Sequence, residues 1–218
     1  MPIRVIIADD HPVVRDGLRL TIERSGPDIS VVGEVSDGME LLKLVETQPA
    51  DVFIIDITMP NMNGIDVARE LLKKEPKSRI IMLSLHDTKT MVDGALTAGA
   101  RGYLTKDSAT RNVVDAVKEV HAGRFYLSPS IAHYVVAAGA PGSERKRSRG
   151  GVAGQLTGQE RKVLQLIAEG HSNKEIGGLL ELAANTVHVH RTNIMNKLDI
   201  HKHADLVRYA IREGIAKL

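Results

Sequence analysis

The feature that most constrains the fold is the alternation of short apolar runs with longer segments of helical periodicity between residues 1 and 127. In the longer segments, apolar residues recur every three or four positions, as they do on one face of a helix. Such an alternation predicts a parallel sheet that is covered by helices on both faces. The five predicted strands span residues 3–8, 29–35, 52–56, 79–84 and 101–105.

The central run, residues 52–55, leads directly into Asp56 and then into a turn rich in proline, asparagine and glycine. Four consecutive apolar residues are typical of a strand that is buried on both faces of a parallel sheet. An acid at the end of such a strand lies at the carboxyl edge of the sheet, where open α/β folds bind ligands. We therefore interpret Asp56 as a reactive group.

Two further carboxylates, Asp9 and Asp10, follow the first predicted strand. If the first and third strands are neighbours, all three carboxylates meet at one edge of the sheet. Three like charges at one place are unfavourable unless a divalent cation or an ammonium group neutralises them. Oxygen ligands that keep some water favour Mg²⁺, with Mn²⁺ as a permissive substitute.

Lys106 follows the fifth predicted strand, and Ser84 ends the fourth. A metal ion, an ammonium group and a hydroxyl around one aspartate are suited to the transfer of a phosphoryl group onto Asp56. Taken singly, a strand-end aspartate is usually a turn cap, and a serine or lysine there is an ordinary surface residue. Their joint placement at one edge favours the functional interpretation.

Beyond this region the periodicity becomes purely helical. Residues 128–155 are predicted to be a linker, with a short helix at 129–138 and a basic, flexible segment at 141–155. Residues 156–218 are predicted to contain four short helices. Two of these begin at the capping boxes Thr157 to Glu160 and Ser172 to Glu175. The second and third helices are joined by only a few residues, which indicates a helix-turn-helix.

The charge is distributed unequally between the two parts of the chain. Residues 1–127 contain 16 Lys and Arg against 19 Asp and Glu, whereas residues 128–218 contain 13 against 8. The basic second part therefore suits a polyanionic partner. The absence of cysteine excludes disulfides and thiolate metal sites. There is neither an apolar run of membrane length nor a cationic leader, so we expect a cytoplasmic protein with no membrane contact.

The third helix of the second part has a polar face opposite an apolar stripe. Helical spacing predicts that Val187, Ile194 and Leu198 are buried. The opposite face carries mostly short polar side chains that suit a DNA major groove, although many surface helices share this pattern. The candidate DNA-contacting residues are His188, Val189, Arg191, Thr192, Asn193 and Asn196.

Both parts of the chain resemble domains of one known family. The residues that resemble the receiver domain of two-component response regulators are Asp9, Asp10, Asp56, Met59, Pro60, Gly64, Ser84, Tyr103 and Lys106. Residues 156–211 resemble the LuxR-type DNA-binding domain, especially in the segments LTGQERKVLQLIAEGHSNKEI, TVHVH and NIMNKLDI. Together they are similar to the NarL/FixJ family over nearly the whole chain.

The resemblance implies an α/β, flavodoxin-like receiver domain with a five-stranded parallel sheet at 1–127, and a small all-α LuxR-type helix-turn-helix domain at 156–218. It implies that a sensor histidine kinase phosphorylates Asp56. It further implies that Asp10, Asp56 and the backbone carbonyl of Thr58 bind Mg²⁺, with Asp9 assisting through water.

The resemblance also implies a switch beside the phosphorylated aspartate. Lys106 would pair with the phosphoryl group, Ser84 would swing to hydrogen-bond it, and Tyr103 would rotate inward into the vacated space. The expected output is a homodimer that binds double-stranded promoter DNA and regulates transcription. A dimer contact through Leu206, Ala210 and Ile211 of the last helix is a further hypothesis.

Several departures from the family pattern leave open an alternative to DNA binding as the role of the helix-turn-helix. Ala183 stands where the family usually has a serine that caps the recognition helix, and this costs about 1 kcal/mol of helix stability. The other departures are Gly177 and Gly178 inside the preceding helix, and His188 and Thr192 where lysine is common. A helix-turn-helix weakened in this way could act mainly through protein–protein contacts.

An enzyme that passes through an aspartyl phosphate is the second alternative. Phosphatases of the haloacid-dehalogenase type carry a second aspartate two residues after the nucleophile, where it acts as general acid. The corresponding residue here is Thr58, which cannot donate a proton at neutral pH. The sequence therefore favours a regulator over an enzyme.

Overall fold

The first part of the chain forms a parallel sheet with helices on both faces. The structure is a computed structural model that describes residues 1–85, 88–131 and 156–217, and it divides the chain into two compact units. The strands of the first unit are β1 (Ile3–Ala8), β2 (Ile29–Val35), β3 (Val52–Asp56), β4 (Arg79–Ser84), β5 (Gly102–Thr105) and β6 (Tyr126–Leu127). Its helices are α1 (Pro12–Arg24), α2 (Gly38–Leu44), α3 (Gly64–Lys74), α4 (Lys89–Thr97) and α5 (Lys106–His121).

The strands follow the order β2-β1-β3-β4-β5-β6, and every neighbouring pair is parallel. The predicted adjacency of the first and third strands is confirmed, since Ala8 pairs with Ile55. The last residues of β1 and β3 therefore lie side by side. This register brings the acids that follow both strands to the same edge.

The prediction of five strands was wrong, because the sheet has six. The additional strand, β6, pairs with β5 through Tyr126 opposite Gly102 and Leu127 opposite Tyr103. A two-residue strand is too short to show any apolar periodicity, so its own sequence did not reveal it. β6 is a strand only because it pairs with the edge of β5, and this contact arises from the tertiary structure rather than from the local sequence.

The two faces of the sheet carry separate apolar cores. On the central strands, alternate residues point to opposite faces, so Ile6 and Phe53 join one core and Val5 and Val52 join the other. The first core includes residues of α2, α3 and α4, and the second includes residues of α1 and α5. Burial on both faces explains why these strands are continuous apolar runs.

The segment that follows β6 packs against the first of these cores. Ser128 is buried, its backbone N–H donates to the carbonyl of Tyr103 at 3.0 Å, and Ile131 is fully buried beside the same core. Residues 129–131 are helical. The rest of the predicted helix at 129–138, and the basic segment at 141–155, lie outside the described residues.

In the second unit, the described residues 156–217 form four helices around one small core. They are α6 (Gly158–Ala168), α7 (Asn173–Leu180), α8 (Ala184–Leu198) and α9 (His203–Arg212). Both capping boxes are present, with the Thr157 and Ser172 side chains accepting from the Glu160 and Glu175 backbone N–H groups. None of the helices within the described ranges is both long and apolar enough to cross a membrane.

The buried residues of α8 are Val187, Ile194 and Leu198, as predicted. Two of the three residues of the hypothesised dimer contact on α9, Leu206 and Ala210, are fully buried in the core of their own unit, whereas Ile211 is only partly buried. Their spacing marks the inner face of α9, and a single amphipathic helix does not reveal whether that face packs within the chain or between chains.

Candidate phosphoacceptor site and nucleic-acid interface

The predicted acidic and basic side chains meet at the carboxyl edge of the sheet. The ammonium of Lys106 lies 2.8 Å from Oδ2 of Asp9 and 2.8 Å from Oδ2 of Asp56. Both carboxylates are fully buried, and the lysine side chain is 5% exposed. One buried cation therefore bridges two buried anions, a charge arrangement that is tolerated only when the partners are this close.

Each of these residues is fixed by the element that carries it. Asp56 is the last residue of β3, and Lys106 is the first residue of α5. Gly64 begins α3 so close to β3 that a Cβ atom there would lie 2.0 Å from the carbonyl oxygen of Asp56. Glycine at this position thus lets the turn after Asp56 fold back tightly over the strand end.

Asp56 is in an environment that disfavours its charge. Burial and the neighbouring Asp9 carboxylate raise the pKa of Asp56 to about 6, although Lys106 acts in the opposite direction. Above that pH the carboxylate is ionised and able to act as a nucleophile. A second positive charge at the site would stabilise this ionised form.

The side chains here fit the divalent cation that the sequence predicts. Potential ligand atoms of Asp9, Asp10, His11 and Asp56 all lie within 4.8 Å of one another. Several carboxylate oxygens, with Asp10 18% exposed to solvent, suit a small, partly hydrated cation such as Mg²⁺. Thr58, whose carbonyl was predicted as a further ligand, is held in the same turn by its N–H, 3.4 Å from Oδ1 of Asp56.

His11 belongs to the site and was missed by the sequence analysis. Its Nδ1 atom lies 3.1 Å from Oδ1 of Asp9, 2.9 Å from Oδ1 of Asp10 and 3.3 Å from Nζ of Lys106. Its position directly after the acidic pair and before the helix-starting Pro12 is a signal that could have identified it.

The predicted switch residues lie on the neighbouring strands. Ser84, at the end of β4, is buried, and its hydroxyl is 3.9 Å from the sulfur of Met91 in α4. Tyr103 of β5 is fully buried in the core. The Tyr103 side chain is therefore inside the core in this structure, and its rotation after phosphorylation stays a prediction.

The outer face of α8 exposes most of the predicted DNA-contacting residues. His188, Val189, Thr192, Asn193 and Asn196 are exposed. The Thr192 hydroxyl donates to the carbonyl of His188 at 3.1 Å, so its proton is used within the helix.

Arg191 is partly buried and lies next to α9. An Arg191 guanidinium nitrogen is 3.1 Å from Nδ1 of His203, the first residue of that helix. The start of α8 also lacks a side-chain cap, because Ala183 stands at its N-cap position. The contact of Arg191 with His203 therefore links α8 to α9, whereas the first turn of α8 has no side-chain cap.

Two family models match this chain. Residues 5–118 match the response regulator receiver domain, and residues 154–210 match the bacterial regulatory proteins of the luxR family. A solved two-component response regulator of the LuxR family from Aurantimonas sp. is 34% identical and covers 63% of this chain, with a TM-score of 0.60; 98% of that chain is covered.

Similar proteins extend over both units. The transcriptional regulatory protein DegU of Brevibacillus brevis is 32% identical over 99% of this chain and 96% of its own length. The nitrate/nitrite response regulator protein NarL of Escherichia coli is 33% identical over 98% and 97%. RcsB from Salmonella enterica serovar Typhimurium, solved bound to a promoter with the phosphomimetic BeF3⁻, is 27% identical over 96% and 98%, with a TM-score of 0.64. The chain therefore belongs to the NarL-type response regulators, transcriptional regulators that join a receiver domain to a luxR-type helix-turn-helix domain.

Proposed function

We propose that phosphorylation of Asp56 by a sensor histidine kinase controls DNA binding by the helical unit of this regulator. The observation that carries the proposal is the contact of Lys106 with both Asp56 and Asp9 at the edge of the sheet. A nucleophilic carboxylate beside a fixed ammonium and a cluster of oxygen ligands suits phosphoryl transfer onto Asp56.

The transfer can be written for a small donor, acetyl phosphate. A carboxylate oxygen of Asp56 forms a bond to phosphorus while the bond from phosphorus to the acetate oxygen breaks, and acetate leaves with the electron pair. Lys106 pairs with the phosphoryl oxygens. Asp10, Asp56 and the carbonyl of Thr58 would hold Mg²⁺, with Asp9 assisting through water. When bound, the cation neutralises charge on the transferring group.

The test of the site is the mass of the protein after incubation with acetyl phosphate and Mg²⁺. The expected gain is about 80 Da, the mass of one phosphoryl group on a carboxylate. Asp56→Asn should show no gain. Asp115→Asn, which changes an exposed acid on α5, should gain the same mass as the unmodified protein. An adduct that persists in Asp56→Asn would reject the assignment.

The proposed output is regulation of transcription by a homodimer bound to promoter DNA. The exposed face of α8, with Arg191 at its margin, would enter the major groove. The family consists of transcription regulators, and we expect no turnover of external phosphate esters, because Thr58 cannot replace the missing acid. A protein that acts on the bacterial chromosome would work in the cytoplasm.

An output through protein–protein contacts is the second candidate, and the uncapped start of α8 at Ala183 favours it. The two outputs differ in their dependence on salt. DNA binding weakens steeply as salt rises, because each neutralised phosphate releases counterions. Titration of genomic DNA fragments at several salt concentrations separates the two outputs. If both the phosphorylated and the unphosphorylated protein bind DNA independently of salt, or do not bind it at all, an output through protein–protein contacts is favoured.

A further inference from the structure

The first half of α8 presents an amide and an apolar side chain side by side. Val189 is 48% exposed, and Asn185 lies one helical turn before it, so the two side chains are neighbours on one face. Both are exposed, on the side of α8 opposite the buried Val187. Asn185 was not among the residues that the sequence predicted to contact DNA. A single exposed apolar residue is ordinary on a protein surface, but this one lies on the face proposed to enter the major groove.

The arginine and the lysine of α8 are both engaged within their own unit. A guanidinium nitrogen of Arg191 lies 3.1 Å from Nδ1 of His203. The ammonium of Lys197 donates to Oε2 of Glu160 at 2.7 Å, and the same oxygen accepts the N–H of Thr157 at 2.8 Å. Arginine and lysine are the side chains that most often bind guanine in the major groove. Each of these two would have to leave its partner to reach a base.

The hydroxyl of Thr192, on the same face of α8, has its proton committed inside the helix. It donates to the backbone carbonyl of His188 at 3.1 Å. A hydroxyl whose proton is used in this way can accept a hydrogen bond from a base but cannot donate one. Guanine presents two acceptors in the major groove, N7 and O6, and both need donors. Thr192 in this conformation therefore offers nothing to a guanine.

We propose that Asn185 and Val189 make the helical unit specific for half-sites that contain A·T base pairs. The amide oxygen of Asn185 accepts from the N6 amino group of an adenine, and its amide nitrogen donates to N7 of the same base. The side chain of Val189 packs against the 5-methyl group of a neighbouring thymine. The inference rests on the proposed DNA binding and deepens it, because it names two of the bases that are recognised and the side chain that recognises each.

The test begins with selection of duplexes from a random DNA library by the full chain, after incubation with acetyl phosphate and Mg²⁺. We expect the recovered half-sites to share at least one adenine and one thymine. The tightest duplex is then used for fluorescence anisotropy titrations. In that duplex each thymine is replaced in turn by uracil, which lacks the methyl group, and each adenine in turn by 7-deazaadenine, which lacks the N7 acceptor.

Each base analogue should weaken binding through one side chain. Uracil at one thymine should cost about fourfold in affinity, as expected for one buried methyl-sized apolar group. 7-Deazaadenine at one adenine should cost about tenfold, because one of the two hydrogen bonds is lost. Val189→Ala should lose only the uracil effect, and Asn185→Ala only the 7-deazaadenine effect. Leu179→Ala, which truncates an exposed apolar side chain of α7, is the matched control and should keep both effects.

The design guards against a simple folding defect. Each of the two α8 variants must keep one of the two effects, and a misfolded helical unit would lose both. The readout is the ratio of affinities for two duplexes that differ in one base, so a general loss of affinity does not imitate the expected result.

The outcomes separate this inference from the function on which it rests. If both variants keep both effects, the inference is overturned, while tighter binding after phosphorylation leaves the proposed function intact. Shared G·C pairs that bind more weakly with 7-deazaguanine would assign base recognition to His188 or to a released Arg191, and would also overturn it. If the effects separate as expected but phosphorylation leaves affinity unchanged, the inference stands and phosphorylation control fails. If neither protein form binds any duplex, DNA binding and this inference fail together.

Discussion

At the scale of single residues, Asp56 carries its charge in an environment that raises its pKa to about 6. The unfolded chain ionises the same carboxyl group near pH 4. The folded state therefore binds more protons between these values, and its stability falls as the pH rises through that window. The penalty is fully present above pH 6 and absent below the pKa of the unfolded chain. A bound divalent cation would offset it.

Replacement of this carboxylate should therefore stabilise the metal-free receiver unit. We expect Asp56→Asn to raise its free energy of unfolding by about 3 kcal/mol at pH 7.5 in a chelating buffer, and by much less at pH 4, since the pKa of Asp56 is raised by about two units and each unit corresponds to about 1.4 kcal/mol. Scanning calorimetry of the full chain measures this. The transition that shifts with Mg²⁺ in the unmodified protein identifies the receiver unit.

The exposed acid Asp115 provides the control for this measurement. Asp115→Asn should change stability by less than about 0.5 kcal/mol at either pH, as surface substitutions usually do. If Asp56→Asn were equally neutral at pH 7.5, the carboxylate would not be strained by its surroundings. A cation would then have no charge penalty to offset at this position.

At the scale of elements, two adjacent glycines of α7 differ in how closely the turn between α7 and α8 approaches them. A Cβ atom at Gly177 would lie 2.6 Å from the carbonyl oxygen of Leu182, whose N–H in turn donates to the Gly177 carbonyl at 2.8 Å. A Cβ atom at Gly178 would meet no atom of the described residues within 4 Å. The first glycine is required by the close approach of the turn, and the second is only a cost to the helix.

The pair yields opposite predictions for the same substitution. Gly178→Ala should stabilise the helical unit by about 0.5–1 kcal/mol, because alanine loses less backbone entropy in a helix. Gly177→Ala should destabilise it by at least about 1 kcal/mol, since backbone must move to admit the methyl group. Hydrogen exchange of peptides from 156–217 measures both. Equal effects of the two variants would contradict this account of the turn.

The contrast between these glycines also shows what could and could not be predicted from the sequence. Periodicity predicted the buried residues of α8, and strand ends predicted the meeting of Asp9, Asp56 and Lys106. Both depend on regular geometry that repeats along an element. The role of Gly177 and the contacts of His11 depend on how one segment approaches another, which no local pattern reports.

At the scale of the whole molecule, the proposed function requires phosphorylation of Asp56 in one unit to change DNA binding by α8 in the other unit. The basic charge of residues 128–218 and the exposed face of α8 provide for contacts to DNA phosphates and bases. In the proposed function, one helical unit would cover a single half-site. If phosphorylation pairs two chains, both units bind one DNA molecule, and the second contact gains from its high local concentration.

Pairing makes a quantitative prediction for DNA binding. Acetyl phosphate with Mg²⁺ should tighten binding of the full chain to a selected genomic fragment by about tenfold or more. The slope of log affinity against log salt should also approximately double, because twice as many phosphates are neutralised. Fluorescence anisotropy at four salt concentrations measures both quantities. Asp56→Asn should show neither change, since it cannot accept the phosphoryl group. Tighter binding with an unchanged slope would contradict pairing and would indicate that phosphorylation frees a single helical unit to bind alone.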